Sequence, residues 1–289
     1  MKNKIKQIVL EEFSSLINNI ENDFKNNYIR KNYNFLLNQL DEEMTAHMVF
    51  VSSFESKSGN AIEKCAKRIA ILRYGKENVP TIVNPHNLKH SLEESSINGQ
   101  IIVTDINIEN GDLQGRIAGF RQNRVAIGKG KNRKESRVTQ DTIKQLLDND
   151  FINQYKDGMI HYKPVDLAYF DSDKEEWNIM ELKAGGDLDS SNAPSNINKL
   201  LTEFVAMNSN NCNAYFATLY HKDGEGNTWT GAVKKHLNYP LMFLIGSDFW
   251  NKILPEGIKY EEFTKIYKEA LEEIDLNARI RSMIKNCIS

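Results

Sequence analysis

Cysteine is scarce: the 289 residues include three, Cys65, Cys212 and Cys287. An odd, widely spaced set makes neither a disulfide framework nor a zinc cluster, so reduced or buried thiols are expected. Long apolar runs are missing as well. No stretch reaches the roughly 18 residues a membrane helix needs. Met1 to Leu10 carries lysines without the apolar core and small-residue cleavage site of a secretory signal, which makes the cytoplasm the expected location. Nor is there an internal repeat or an excess of one charge, the formal net being −2. That balance does not announce a nucleic-acid binder. Hydrophobic residues at 40% and charged residues at 26% leave enough for a packed core and exclude disorder.

The charge that is present is unevenly placed. Residues 116–137 hold Arg116, Arg121, Arg124, Lys129, Lys131, Arg133, Lys134 and Arg137 against one acid, Glu135. A local positive stripe on an acidic body can grip a phosphate backbone, and an arginine within it can read a guanine edge. The plain alternative is a solvated loop. Gly128-Lys129-Gly130-Lys131 lacks the spacing of a nucleotide-binding loop.

Periodicity predicts helix over much of residues 1–48, with Ile5, Ile8, Val9, Phe13, Leu16, Ile17 and Ile20 at helical spacing and a second helical stretch from Tyr33 to Met48. Ser58-Gly59-Asn60 reads as a helix start. Residues 78–100 read as loop and Ile101 to Val103 as a short strand. The glycines at 111, 115, 119, 128 and 130 favour turns and strands through the basic segment. Gln140 to Asp150 reads as a short helix. Strands are expected at Val165–Phe170, Trp177–Lys183, Ala214–Tyr220 and Leu241–Ile245, and helices at Ser195–Met207, Ser247–Ile253 and Tyr260–Ile274. That order fits an α/β fold with a mixed central sheet flanked by helices. With no clean linker, 1–289 is expected as one domain: a helical N-terminal region 1–50, a catalytic core 51–255 and C-terminal helices 256–289.

One constellation carries chemistry. Asp166 follows Pro164-Val165, and after fourteen intervening residues comes Glu181-Leu182-Lys183. Residues two apart on a strand face the same side, so Glu181 and Lys183 project together. A tight turn at Asp171-Ser172-Asp173 would bring Asp166 beside them. Alone, Glu-x-Lys is ordinarily a surface ion pair. Two carboxylates and an ammonium at one hairpin end suit phosphodiester hydrolysis. There Asp166 and Glu181 would hold Mg²⁺, and Lys183 would position water or steady charge on the phosphate.

The pattern resembles the PD-(D/E)xK nuclease superfamily, with Val165 inserted between proline and aspartate. Three islands resemble the TdeIII/MjaII family of type II restriction endonucleases: Ser53 to Ala70, Met180 to Asp189 and Trp229 to Trp250. The resemblance implies a restriction-endonuclease-like fold. It also implies Mg²⁺-dependent cleavage of double-stranded DNA at a short palindromic site such as GGNCC, a homodimer, and a companion DNA methyltransferase. It further implies an extra acid on a preceding helix, a place Glu63 matches. The alternative for Glu63 is a solvated helix flank. The alternatives for the whole are a nuclease of the same type in repair or phage defence, and a non-catalytic DNA-binding module.

Other features weigh less. His86 and His90 are four apart but have no accompanying glutamate, so a metal role is not expected. Trp229, Phe249 and Trp250 read as core anchors. Gly185, Gly186, Asp187 and Asp189 read as a polar loop behind Lys183.

Overall fold

A computed structural model describes residues 1–127, 136–184, 188 and 190–288. In chain order it contains α1 (Lys2–Asn32), α2 (Glu42–Tyr74), β1 (Ile82–Val83), β2 (Gln100–Ile106), α3 (Gly111–Gln122), α4 (Gln140–Ile143) and α5 (Asn149–Ile152). There follow β3 (Lys156–Val165), β4 (Leu167–Asp171), β5 (Glu176–Lys183), α6 (Asn192–Met207), β6 (Cys212–Thr218), β7 (Phe243–Ile245), α7 (Ser247–Ile253), α8 (Tyr260–Glu273) and α9 (Leu276–Ile288). The chain divides into two compact units, residues 1–69 with 255–289, and residues 70–254.

The first unit is helical. Ile5, Val9, Phe13, Leu16, Ile17, Ile20 and Phe24 put one apolar stripe along α1 into its core, where α1 packs on α8 and α9. Phe13 meets Tyr267 edge-on, with centroids 5.1 Å apart. The helix expected from Tyr33 instead begins at Glu42, where Asp41 Oδ1 accepts the Met44 N–H at 2.8 Å. Ser58-Gly59-Asn60 starts nothing. It lies inside α2, because the buried positions Ala46, Val49, Ser53, Ala61, Cys65 and Ile69 form one continuous stripe across it. A stripe of that length outweighs a local capping preference.

The second unit holds the sheets. Among the described residues β1-β2-β3 form one sheet and β4-β5-β6-β7 another. β4 and β5 are an antiparallel hairpin with Leu167 opposite Met180, and β5, β6 and β7 run parallel. α6 is the crossover between β5 and β6. Its Ile197, Leu200, Leu201 and Phe204 share a core with Ala168, Ile179, Ala214 and Phe216. Trp229 belongs to that core, and Phe249 and Trp250 are also buried.

Gly111, Gly115 and Gly119 lie in a helix where turns and strands were expected, while Gly128 and Gly130 fall outside the described residues. α3 starts on Asn110, whose side chain accepts from the N–H of Asp112 and Leu113. Leu113, Ile117 and Arg121 repeat every four residues on its buried side, and that stripe outweighs the glycine cost. A Cβ added at Gly115 would meet open space.

The strand expected over Val165–Phe170 is split. Val165 ends β3, opposite Gln100, and Leu167 begins β4 in the other sheet. Gln100 bridges the break. Its buried amide accepts from Ala168 N at 2.9 Å and donates to Ala168 O at 2.8 Å, imitating a neighbouring strand.

Candidate active site

Asp166 is the one residue between the two sheets, and the break decides what its side chain does. The Leu182 N–H of β5 would bond to the strand preceding Leu167, but that strand has left for the other sheet. Asp166 Oδ2 takes the bond instead, at 2.9 Å. This fixes the carboxylate beside β5 and leaves Oδ1 facing the side chains around it.

Strand alternation then places Glu181 on the α6-facing side, with Ile179 before it and Lys183 after it. Glu181 is fully buried, while the side chains of Asp166 and Lys183 are partly open. Lys183 Nζ approaches Glu181 Oε1 at 2.7 Å. The three residues singled out in the sequence thus meet at the end of the β4–β5 hairpin.

Two further residues come from α6. Lys199 Nζ lies 3.0 Å from Asp166 Oδ1 and 2.5 Å from Glu181 Oε2. Those two oxygens are therefore no farther apart than the two distances combined. One turn on, Glu203 is wholly buried, with Oε1 3.8 Å from Lys199 Nζ. Among the described residues, no donor gives either carboxylate oxygen of Glu181 or Glu203 a hydrogen bond of proper geometry. The lysine contacts to these two carboxylates are thus close in distance but not well directed, whereas Lys199 Nζ donates a well-formed hydrogen bond to Asp166 Oδ1 at 3.0 Å.

The electrostatics follow from burial and crowding. Burial raises the Glu181 carboxyl, the Asp166 charge raises it further, and Lys183 and Lys199 oppose both. Burial and then Glu181 push Glu203 well above the usual carboxylate range. Burial pulls Lys199 down, but Glu203, Asp166 and Glu181 outweigh it, so its ammonium is held charged.

Lys199 also lines a cleft of about 500 Å³ with Lys163, Gln114, Asn198, Thr202 and Ser195, and with one acid, Glu109. Among the described residues Lys163 makes no ion pair. Two ammonium groups with amides and hydroxyls offer many donors to an anionic chain.

Sequence reasoning missed Lys199 and Glu203, yet a signal was there. Glu203 is the only charged residue in Leu200 to Met207, otherwise an apolar run but for Thr202, and Lys199 stands four residues before it. A charge inside a helix face that must be buried calls for a partner or a function.

The remaining candidates are placed elsewhere. Glu63 is a half-buried residue of α2 in the first unit, whereas the group above is built within the second. Arg116 pairs with Asp112 at 3.0 Å and lies over Phe151. Arg121 is buried, donating to Asn198 Oδ1 at 2.8 Å beside His236. Arg124 lies over Phe120 and donates to Gln145 Oε1 at 2.6 Å. Arg137 donates to Lys234 O at 2.6 Å. Lys129, Lys131, Arg133 and Lys134 fall outside the described residues, as do Gly185, Gly186, Asp187 and Asp189. His86 contacts Met207 O and His90 accepts from Leu92 N, so both rings serve the backbone.

Among the described residues no group of three or more His, Cys, Asp or Glu is placed to hold a metal ion. Mg²⁺ asks for less, commonly one or two carboxylates with waters and phosphate oxygens. Asp166 and Glu181 fit that demand. Their facing oxygens already share one cation, the Lys199 ammonium, and among the described residues both Glu181 oxygens lack a hydrogen bond.

The profile of a family described as "Type II restriction endonuclease, HinfI" matches residues 1–270. No curated protein and no solved structure matches the chain.

Proposed function

Since the chain belongs to the HinfI family of type II restriction endonucleases, and is on that ground an enzyme that cuts DNA, we propose that Asp166, Glu181 and Lys183 are its catalytic centre and that Mg²⁺ is its cofactor. The observation that carries this reading is the meeting of two carboxylates on one ammonium at a hairpin end beside a donor-lined cleft. In this reading the fold is of the PD-(D/E)xK type and 51–255 is the catalytic core.

Asp166 and Glu181 would hold the ion. Bound there, Mg²⁺ supplies Lewis acidity toward the attacking water and neutralises charge growing on the phosphate. Lys183, flexible and partly exposed, orients the water for in-line attack on phosphorus as the bond to the 3′ oxygen breaks. Its ammonium also steadies the charge on a non-bridging oxygen. Asp166 is kept in register by the Leu182 N–H, so a carboxylate oxygen is presented without rotamer search. Burial of Glu181 excludes water from one side of the reaction. Lys163 and the other cleft donors hold the strand being cut.

The duplex beyond the cleft is proposed to lie against Arg116, Arg124, Lys129, Lys131, Arg133, Lys134 and Arg137. Arg121 supports that surface from beneath through Asn198. Glu63 is proposed as an accessory acid. The enzyme is proposed to act in the cytoplasm as a homodimer on a short palindromic site, with a DNA methyltransferase protecting the host. The sequence GGNCC is proposed on the TdeIII/MjaII-like islands alone, the matching profile being that of HinfI.

Digestion of a fully sequenced plasmid by purified protein with Mg²⁺, followed by mapping of the ends, tests the whole reading. Discrete fragments with one shared end sequence are expected, and the ends read the recognition site directly. A smear would replace the site-specific enzyme by an unspecific nuclease, and full activity in excess EDTA would remove the cofactor.

A further inference from the structure

Lys199 stands where a cation belongs. Its ammonium touches one oxygen of Asp166 at 3.0 Å and one of Glu181 at 2.5 Å. A Mg²⁺ ion binding those oxygens at its usual ~2.1 Å would overlap the space the ammonium occupies and repel its charge. The lysine and the ion exclude each other.

The helix offers the lysine a second seat. Glu203 is fully buried one turn along α6, and among the described residues neither of its oxygens receives a hydrogen bond. A buried carboxylate without donors is unfavourable unless something charged comes to it. Lys199 Nζ is already 3.8 Å away, and the lysine stem is long enough to close that gap. Lys163, which lines the same cleft as Lys199, is the other cation facing this pair.

We infer that Lys199 is a resident counter-ion of the active site: it bridges Asp166 and Glu181 while no divalent ion is bound, and transfers to Glu203 when one arrives. The inference rests on the reading of Asp166 and Glu181 as the ion's ligands. It gives Lys199 and Glu203 a positioning role. The pair keeps the two carboxylates close without a metal, and it sets how much free ion the enzyme needs. Occupancy of the carboxylates by Lys199 for about nine-tenths of the time weakens apparent ion affinity about tenfold.

Calorimetric titration of the whole protein with Ca²⁺, without DNA, tests this apart from activity. Lys199→Met is expected to bind Ca²⁺ about tenfold more tightly. Damage to a purely structural contact would weaken binding instead. Glu203→Gln is expected to weaken binding several-fold in the native background and to have no effect beside Lys199→Met, because the seat then has no occupant. Simple loss of charges would give the same Glu203 effect in both backgrounds. Unchanged or weaker binding by Lys199→Met, or an equal Glu203 effect in both, overturns the exchange. Should Lys199→Met fail to fold, Glu203→Gln alone decides: unchanged Ca²⁺ affinity overturns the inference. Asp166→Asn and Glu181→Gln separate the two readings. If they leave Ca²⁺ binding intact, the ligand assignment falls; if they abolish it while Lys199→Met does nothing, only the exchange falls.

Discussion

Each side chain of the proposed site is held in place by its neighbours. Asp166 is oriented by a backbone N–H, Glu181 by two lysines, and Lys183 by its alternation with Glu181. Lys183→Ala and Glu181→Gln should each lower the rate of plasmid cleavage by at least about 100-fold. Binding of a short duplex, followed by fluorescence anisotropy, should change little. His236 tells a different story at the same scale. Burial, then the charges of Arg121 and Lys235, lower its pKa from 6.5 to about 4. The folded protein therefore keeps it neutral at pH values where the unfolded chain takes up a proton. Its contribution to stability is complete above about pH 6.5 and is lost as pH falls toward 4. Melting curves at about pH 7 and about pH 5 should show Tm falling by several degrees. In His236→Gln that fall should shrink, and an unchanged fall would assign the acid sensitivity to other groups.

At the scale of elements, two joints make the site possible. The first is the passage from β3 to β4, where Gln100 stands in for a strand. Gln100→Ala should leave the Ala168 N–H and C=O unsatisfied in the interior, destabilising the protein by about 1–3 kcal/mol. Urea unfolding would read it as a lower midpoint with an unchanged slope. The second is α3, which keeps Leu113, Ile117 and Arg121 inward although it carries three glycines. Because Gly115 has open space around its missing Cβ, Gly115→Ala should raise stability by about 0.5–1 kcal/mol. Loss of stability there would mean that the backbone at Gly115 is approached by something the free fold does not show.

Across the whole molecule, charge is organised so that a protein of net −2 can still hold an anionic polymer. The segment 116–137 carries +7 and the remainder −9. Affinity for DNA should therefore fall linearly in log–log form with salt. Lys163→Ala should reduce that slope by about 0.9, the value of one phosphate contact. A slope equal to that of the native protein would remove Lys163 from the DNA path.

Periodicity and turn chemistry alone determined the helices of α1, α7 and α8, the hairpin turn after Asp171 and the strand ending at Lys183, because these depend on near neighbours in the chain. The spacing of Asp166, Glu181 and Lys183 was legible for the same reason: a hairpin converts short sequence separation into proximity. Only the tertiary structure decided that β3 departs at Val165, that α3 is a helix, and that Lys199 and Glu203 of α6 stand over Glu181. Those outcomes depend on which distant apolar stripe each element is packed against, and burial is a property of the assembled fold that no local window of sequence contains.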